Sequence, residues 1–405
     1  MNILLINHYA GAPELGMEFR PYYLAREWQK MGHQVLIVGA TFSHLRKKQP
    51  SKGYQTIDGV NYLWLSTNKY SGNDIGRFVS MLCFVFQLFV HFSTLKKFNS
   101  DVVIASSTYP LDNYPARRIA KASHAEYVYE IHDLWPLSPI ELGGMSPHHP
   151  FIRIMQRAEN FAYKNCDKCV SILPKANAHA VKHGLAPQKF FCVPNGIVES
   201  DWKNPMELVG EHADLLKQLH AEHKIIVGFT GAHGVANSLQ PLIGAVGMLA
   251  EKNIALVLVG TGQEKARLIR YAADQGWTNV YFLPSVGKQM IPSLLKNMDI
   301  LYVGLRKRAL FQFGISPNKI FDYMMASKPI LQAIEAGNDL AKDADCGITV
   351  EPDNVAKIAD AITTLANMAE KDRDRLGQNG HDYVLKYHTY DVLAKQFIDI
   401  LAKQL

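Results

Sequence analysis

Short apolar runs at regular intervals, each followed by a polar loop and a helix-like stretch, constrain this chain more than any other feature. In the first half they fall at 2–7, 34–39, 60–65, 101–106, 125–131 and 169–173. After a polar, irregular stretch at 199–223 the pattern restarts, at 225–229, 255–259, 280–283, 300–303, 330–332 and 348–350. Continuous apolar runs of this length suit parallel strands buried on both faces, and their alternation with helices predicts an α/β chain with parallel sheets. A chain of 405 residues is long for one core, and the restart predicts two domains of about 200 residues. The boundary is expected at 200/201.

Ligands in open α/β sheets bind beyond the carboxyl ends of the strands, so the loops there are the candidate site. Gly11-Ala-Pro-Glu-Leu-Gly16 follows the first run. It lacks the G-x-G-x-x-G spacing, and no acidic residue closes the next run, which excludes the dinucleotide fingerprint. Tyr129-Glu-Ile-His-Asp-Leu-Trp-Pro136 ends another run. His132 and Asp133 are either a histidine–carboxylate pair or a structural turn. In the second half, Gly231-Ala-His-Gly234, Gly260-Thr-Gly262 and Pro284-Ser-Val-Gly-Lys288 follow successive runs.

The densest stretch is Phe313-Gly-Ile-Ser-Pro-Asn-Lys-Ile-Phe-Asp-Tyr-Met-Met-Ala-Ser-Lys-Pro-Ile330. Ser316 reads as an N-cap with Pro317 in the first helical position, which places Lys319 in the first turn and Asp322 one step behind it. Free first-turn N–H groups beside a lysine make an anion site, and a carboxylate one turn on accepts hydrogen bonds from a diol. Phosphate beside a diol describes a nucleotide; the bland alternative is an ordinary capped helix.

This stretch resembles the donor-binding helix of retaining GT-B glycosyltransferases of family 4, in which a Pro-Ser/Asn-Lys-x-x-Glu/Asp-Tyr-Met-Ala run is typical. The resemblance extends to Asn2-Ile-Leu-Leu-Ile-Asn7 with Pro13-Glu-Leu-Gly-Met-Glu-Phe-Arg20, to His132-Asp-Leu-Trp-Pro136, Pro194-Asn-Gly-Ile197 and Gly228-Phe-Thr-Gly-Ala-His-Gly234. It implies two Rossmann-like domains facing across a cleft: an acceptor domain at 1–200, a donor domain at 201–387, and a last helix at 388–405 packing back on the first. It also implies a UDP-sugar donor and retention of anomeric configuration. Asp322 is expected on the ribose, and Lys319 with Ser316, Pro317 and Asn318 on the diphosphate. Gly16 and Arg20, with Glu14, are expected against the donor phosphates and sugar, with His233 and Gly260 in the donor loops. Ser285 and Gly287 are expected at the base, and His132 with Asp133 at the donor sugar. The chain departs from the family pattern in two places. Ala232–Asn237 lacks the usual Arg and Lys, which leaves Arg306 or Arg308 as substitutes, and Gly314 replaces the first of two glutamates.

Loss of a diphosphate needs its growing charge stabilised. Asp339, Asp343 and Asp345 are scattered, and Glu199 and Asp201 lie in the expected linker. Without a paired-carboxylate metal motif, the helix start with its lysine is expected to act instead, with no metal or other cofactor.

The segment 78–98, Phe-Val-Ser-Met-Leu-Cys-Phe-Val-Phe-Gln-Leu-Phe-Val-His-Phe-Ser-Thr-Leu-Lys-Lys-Phe, is long and apolar enough to invite a membrane reading. Arg77, Gln87, His91 and Lys96-Lys97 divide the reading between a core helix and one lying on a bilayer, with a true span third. The resemblance favours the bilayer surface: a protein on the cytoplasmic face, extending a polyprenyl-diphosphate-linked saccharide with an N-acetylated aminosugar during surface polysaccharide assembly. A net charge of +6, dispersed, suits anionic lipid better than nucleic acid. The N-terminus enters a strand-like run with no secretory signal. Five scattered cysteines are expected reduced, although Cys166-Asp-Lys-Cys169 has the spacing of a metal or redox pair. Two other readings stay open: a UDP-sugar 2-epimerase, and a non-catalytic nucleotide-sugar-binding subunit.

Overall fold

The computed structural model describes residues 1–72 and 75–403; the last two residues of the expected terminal helix lie outside the described residues. The chain divides into two compact units. One comprises 1–195, 313–316 and 390 onward, and the other 196–312 and 317–389.

The first unit is built on a sheet of β1 (Asn2–Ile6), β2 (Gln34–Ala40), β3 (Gly53–Ile57), β4 (Val60–Leu65), β5 (Val102–Ala105), β6 (Glu126–Ile131), β7 (Lys168–Ser171) and β8 (Phe190–Cys192). Their order is β3-β4-β2-β1-β5-β6-β7-β8. The pairs run parallel except β3 with β4, a hairpin whose turn residues Asp58 and Gly59 both have positive φ, the combination a type I′ turn requires. This antiparallel edge strand and β8 are additions to the expected runs. Chain order reverses at β1, which pairs with β2 on one side and β5 on the other, so the loops after β1 and β5 flank a switch point. The terminal helix Tyr390–Leu401 packs on this unit: Trp28 Nε1 donates to Ala394 O at 3.1 Å, and Lys168 Nζ to Leu401 O at 2.7 Å.

The second unit carries β9 (Ile225–Thr230), β10 (Ile254–Val259), β11 (Val280–Leu283), β12 (Ile300–Gly304), β13 (Ile330–Ala333) and β14 (Gly347–Val350). They are ordered β11-β10-β9-β12-β13-β14 and all parallel. Its core joins Val227, Phe229, Leu256, Leu258, Ile300 and Tyr302 of the sheet to Leu242, Ile243, Ile358 and Ile362 of the covering helices. The switch point is at β9, between β10 and β12.

The apolar segment at 78–98 forms two helices, Ile75–Val90 and Phe92–Lys96, separated at His91. Met81, Phe84, Leu88 and Leu95 face the core. Ile75, Val79, Leu82, Phe86, Phe89 and Val90 form a second apolar stripe, exposed, with Ile75 at 81% and Phe86 at 64%. Among the described residues no helix is long and apolar enough to cross a membrane. All five cysteines are free thiols. Cys166 and Cys169 are buried, and burial pushes the Cys169 thiol far up. That environment suits core packing rather than redox or metal chemistry.

Candidate active site

In the second unit, the loop after β9 and the loop after β10 interlock. Thr261 O accepts from His233 N at 2.8 Å, His233 O accepts from Glu264 N at 3.0 Å, and Gly231 N donates to Val259 O at 3.0 Å. This close approach requires the glycines. A Cβ on Gly260 (φ +153°) would stand 1.9 Å from Gly231 O, and one on Gly262 (φ +158°) would stand 2.3 Å from His233 O. His233 is fully buried here, near the rings of Phe229 and Phe282. Neither of its ring nitrogens has a hydrogen-bond partner among the described residues. Burial, then the nearby Lys265 and Lys319 cations, push its pKa down to about 4.

Lys319 rises from the helix Asn318–Met325 into this loop cluster. Its Nζ donates to Asn237 Oδ1 at 2.8 Å and stands 4.2 Å above the Phe229 ring centroid. Asn237 in turn donates to Ala232 O at 2.8 Å, so an amide orients the lysine where an Arg or Lys was missing from the loop. Burial lowers the Lys319 ammonium to about 7. An ammonium held half-neutral beside helix N–H groups and glycine loops is poised to take up a proton when an anion arrives.

The helix start differs from expectation. Pro317, extended at φ −73° and ψ 127°, is the N-cap, and Asn318 is the first helical residue. Ser316 does not cap. Its Oγ accepts from Asn195 N at 2.8 Å, and its carbonyl accepts from Asn195 Nδ2 at 2.9 Å. Ser316 thereby ties down Asn195 within the first unit, and the first-turn N–H groups of the helix start with Asn318.

Asp322 is half-buried, and its carboxyl is pushed up to about 7 by burial, with Lys288 opposing and Asp201 reinforcing the shift. Lys288 pairs with Asp201 at 2.5 Å. The electrostatics therefore associate Asp322 with the loop after β11, where Ser285 and Gly287 are exposed. Arg306 lines a cavity of about 440 Å³ with Gly234, Ser238, Glu264, Arg267 and Asp353. Arg308 is exposed.

In the first unit, the polar centre lies at the switch point and is organised by Glu130, which the sequence reading did not select. Glu130 Oε1 accepts from Arg20 Nε at 3.0 Å and Nη2 at 2.9 Å; Oε2 accepts from Ser106 Oγ at 2.6 Å and lies 3.2 Å from His132 Nε2. Ser106 Oγ is also 2.9 Å from His132 Nε2. Burial would raise this carboxyl, but Arg20 and then His132 hold it down at about 2. The carboxylate partner of His132 is thus Glu130, two residues back on the same face of β6, and not Asp133. Asp133 is the structural turn: its Oδ1 accepts from Leu134 N and from Ser138 Oγ, and burial raises its pKa. Arg20 is likewise committed inside the protein. It is 1% exposed and also donates to Val193 O and Pro194 O. Its charge stabilises the unit's interior rather than standing free against a ligand. Gly16 (φ +116°) bridges to Arg46 across the loop after β1, where a Cβ would meet Lys47 N at 2.9 Å.

Two family models match: "Glycosyl transferase 4-like domain" over residues 16–196 and "Glycosyl transferases group 1" over residues 224–368. The chain is a GT-B glycosyltransferase of the GT4 type. It is 24% identical over 400 residues to the probable glycosyltransferase WbjE of Pseudomonas aeruginosa, covering 94% of this chain and 95% of that one. It is 25% identical over 254 residues to the putative colanic acid biosynthesis glycosyl transferase WcaI of Escherichia coli. That match spans 61% of each chain, less than two thirds of the relative's length. Among solved structures, Anabaena HepE in complex with UDP superimposes with a TM-score of 0.69 at 15% identity, covering 99% of this chain and 100% of that one, a likeness of fold.

Proposed function

We propose that this glycosyltransferase moves a sugar, most simply an N-acetylated aminosugar, from a UDP-sugar to a lipid-linked saccharide in surface polysaccharide assembly. We infer retention of configuration and no metal in the transfer step. The observation that carries the donor reading is Lys319, a lysine brought to near-neutrality by burial at a helix start framed by glycine loops. On this reading the diphosphate meets Lys319 and the first N–H groups of the helix, and its charge restores the ammonium. As the glycosidic bond breaks, the growing negative charge on the leaving group falls on a cation already in place. Asp322 accepts hydrogen bonds from the ribose hydroxyls, and the Ser285–Gly287 backbone meets the base. UDP bound to a protein of the same fold supports the donor, and the likeness to WcaI, a putative colanic acid biosynthesis glycosyl transferase, supports the pathway class.

The exposed apolar stripe of the helix Ile75–Val90 supports an acceptor carried by a membrane. Arg118 lies 4.9 Å from the Phe92 ring centroid, and Lys96 and Lys97 are exposed at the end of the second helix. Such a face, apolar with cations at its margin, suits an anionic leaflet, which supports a location on the inner face of the cytoplasmic membrane. The same stripe disfavours a soluble epimerase.

A thermal-shift titration with UDP, GDP, ADP and NAD, each with and without EDTA, tests the donor half. Stabilisation by UDP alone, indifferent to EDTA, is expected. Stabilisation by NAD, or by no nucleotide, would reduce the helix at Asn318 to an ordinary helix start.

A further inference from the structure

Among the described residues one group of metal-ligating side chains stands apart from the proposed transfer machinery, on two helices of the first unit: Glu159, His179 and His183. Glu159 lies on the helix Pro150–Asn165. His179 lies on the helix Asn177–Lys182, and His183 is the C-cap residue of that helix. Residues four apart share a helix face, the spacing by which two imidazoles converge on one ion. The two rings are in fact 4.5 Å apart between centroids. One ring nitrogen of each histidine and a carboxylate oxygen of Glu159 lie within 4.8 Å of one another. Glu159 and His179 are buried and His183 is half-exposed, which leaves a route for an ion.

The separations fit one metal. His179 Nε2 is 2.7 Å from Glu159 Oε1. At metal–ligand bonds of about 2.0–2.1 Å two ligands of a tetrahedral ion stand about 3.3 Å apart, so an ion taking the place of the shared proton opens this contact by about 0.6 Å. The 4.8 Å limit exceeds that tetrahedral separation by about 1.5 Å, which rotation of the half-exposed His183 ring closes.

The surrounding hydrogen bonds are those that hold metal ligands. Gln156 Nε2 donates to Glu159 Oε2 at 2.7 Å and to Asn160 Oδ1 at 2.8 Å, which uses both amide hydrogens. Tyr163 OH donates to Glu159 Oε1 at 3.3 Å. Asn160 Oδ1, 2.9 Å from His183 Nδ1, accepts that nitrogen's proton and leaves the other ring nitrogen with a lone pair. His183 Nδ1 also lies 3.0 Å from Gln156 Nε2; with both groups donating elsewhere, the ring is anchored through Asn160 and turns about that bond. We propose that Glu159, His179 and His183 bind one divalent metal ion of the zinc class. Two imidazoles and a carboxylate select such an ion over magnesium or calcium, which take all-oxygen sets.

The ion would clamp the two helices together beneath the segment 313–316. Phe313 O accepts from Lys175 N at 2.9 Å, and the Phe313 ring meets His179 edge-on at 5.4 Å. Four residues after Phe313, at Pro317, the chain enters the segment that carries Lys319. The role is therefore a clamp on local geometry, with no part in the transfer step.

Untagged protein stripped with EDTA would be titrated with ZnCl2 by calorimetry and then melted with and without the ion. One equivalent is expected to bind and to raise the melting temperature by several degrees. His183→Gln, a half-exposed position, is expected to weaken binding at least tenfold and abolish the rise, while leaving the metal-free melting temperature within a degree or two. Cobalt(II) in place of zinc should give a visible d–d absorption in the wild type that the variant lacks, a reading on ligation that survives any loss of stability in the variant. Binding of less than one equivalent, or an unchanged affinity and cobalt spectrum in His183→Gln, overturns the site. None of these readouts uses turnover, so that failure would leave the glycosyltransferase reading intact.

Discussion

Replacing Glu130 with Gln tests whether the first unit is held together by one buried charge. The Glu130–Arg20 pair is 1% exposed on both sides. Gln keeps the volume and one acceptor but leaves the Arg20 guanidinium in the interior without a counter-charge. Breaking a buried pair from one side costs about 3–5 kcal/mol. Proton linkage gives a similar figure by a separate route. A carboxyl that titrates at 4.5 unfolded and about 2 folded contributes about 3 kcal/mol at neutral pH, at 1.36 kcal/mol per pH unit. Against a typical total of about 5–15 kcal/mol, that loss is large.

The assay is urea unfolding at pH 7, followed by tryptophan fluorescence, since Trp28 and Trp64 are fully buried in this unit. Glu130→Gln should lower stability by about 3–5 kcal/mol. Arg20→Met/Glu130→Gln should recover part of that, because the stranded cation is gone. The pH arm has a definite sign. The Glu130 pKa is depressed, so its stabilisation is complete above about 4.5 and is lost as pH falls toward 2. Wild type should therefore lose more stability than the variant over that window. A cost under about 1 kcal/mol at pH 7, or equal acid sensitivity in both proteins, would refute the pairing as the organiser of this centre.

Lys319 has a lowered pKa, so above pH 7 the free protein must gain a proton there on binding a diphosphate. UDP affinity should fall as pH rises from 7 to 9, and Lys319→Met should flatten the profile; a pH-independent wild type in calorimetry would remove Lys319 from the site. The same shift makes the unliganded protein gain stability between pH 7 and 10.5, where its unfolded chain binds the extra proton. At pH 8, above the Asp322 carboxyl's value of about 7, Asp322→Ala should weaken UDP binding by about 1.5–3 kcal/mol, the worth of hydrogen bonds to a charged group, and an unaltered dissociation constant would end the ribose assignment. Gly260→Ala places a methyl 1.9 Å from Gly231 O. It should open the two donor loops, lowering the melting temperature and UDP affinity together, and a wild-type melt with wild-type affinity would show that the loops are not interlocked. Phe86→Glu with Val79→Glu charges the exposed stripe without touching the buried one, so flotation with anionic vesicles should be lost while UDP binding stays. Continued flotation would mean that another surface meets the membrane.

How much of this structure is legible in the sequence depends on how local each signal is. The parallel strands declare themselves as apolar runs, because burial on both faces leaves no room for alternation. The hairpin β3–β4 escaped for the opposite reason. Gly53–Ile57 is an edge strand with Tyr54 63% exposed, so it carries no such run, although Asp58-Gly59 before Val60 is a strong turn signal. The cap at Ser316 failed on a long-range competitor: Asn195, far away in sequence, claims the hydroxyl. Pro317 itself is extended at ψ 127°, so the helix begins one position later.

The polar centre of the first unit shows the same limit more sharply. His132-Asp133 reads as a pair because the residues are adjacent, yet neighbours on a strand point to opposite faces, and alternate residues share one. Applied to Glu130-Ile131-His132, that rule puts the carboxylate and the imidazole together without any structure. It cannot supply Arg20 and Ser106, which arrive from a helix and from the end of β5. Those two decide what Glu130 is: with Arg20 taken, its carboxylate stays ionised deep in the sheet, and a fixed anion beside His132 Nε2 sets which imidazole nitrogen carries a proton. If His132 meets the donor sugar, Glu130 and Ser106 fix how it does so, and a reading confined to the motif His132-Asp-Leu-Trp-Pro136 assigns that work to the wrong carboxylate.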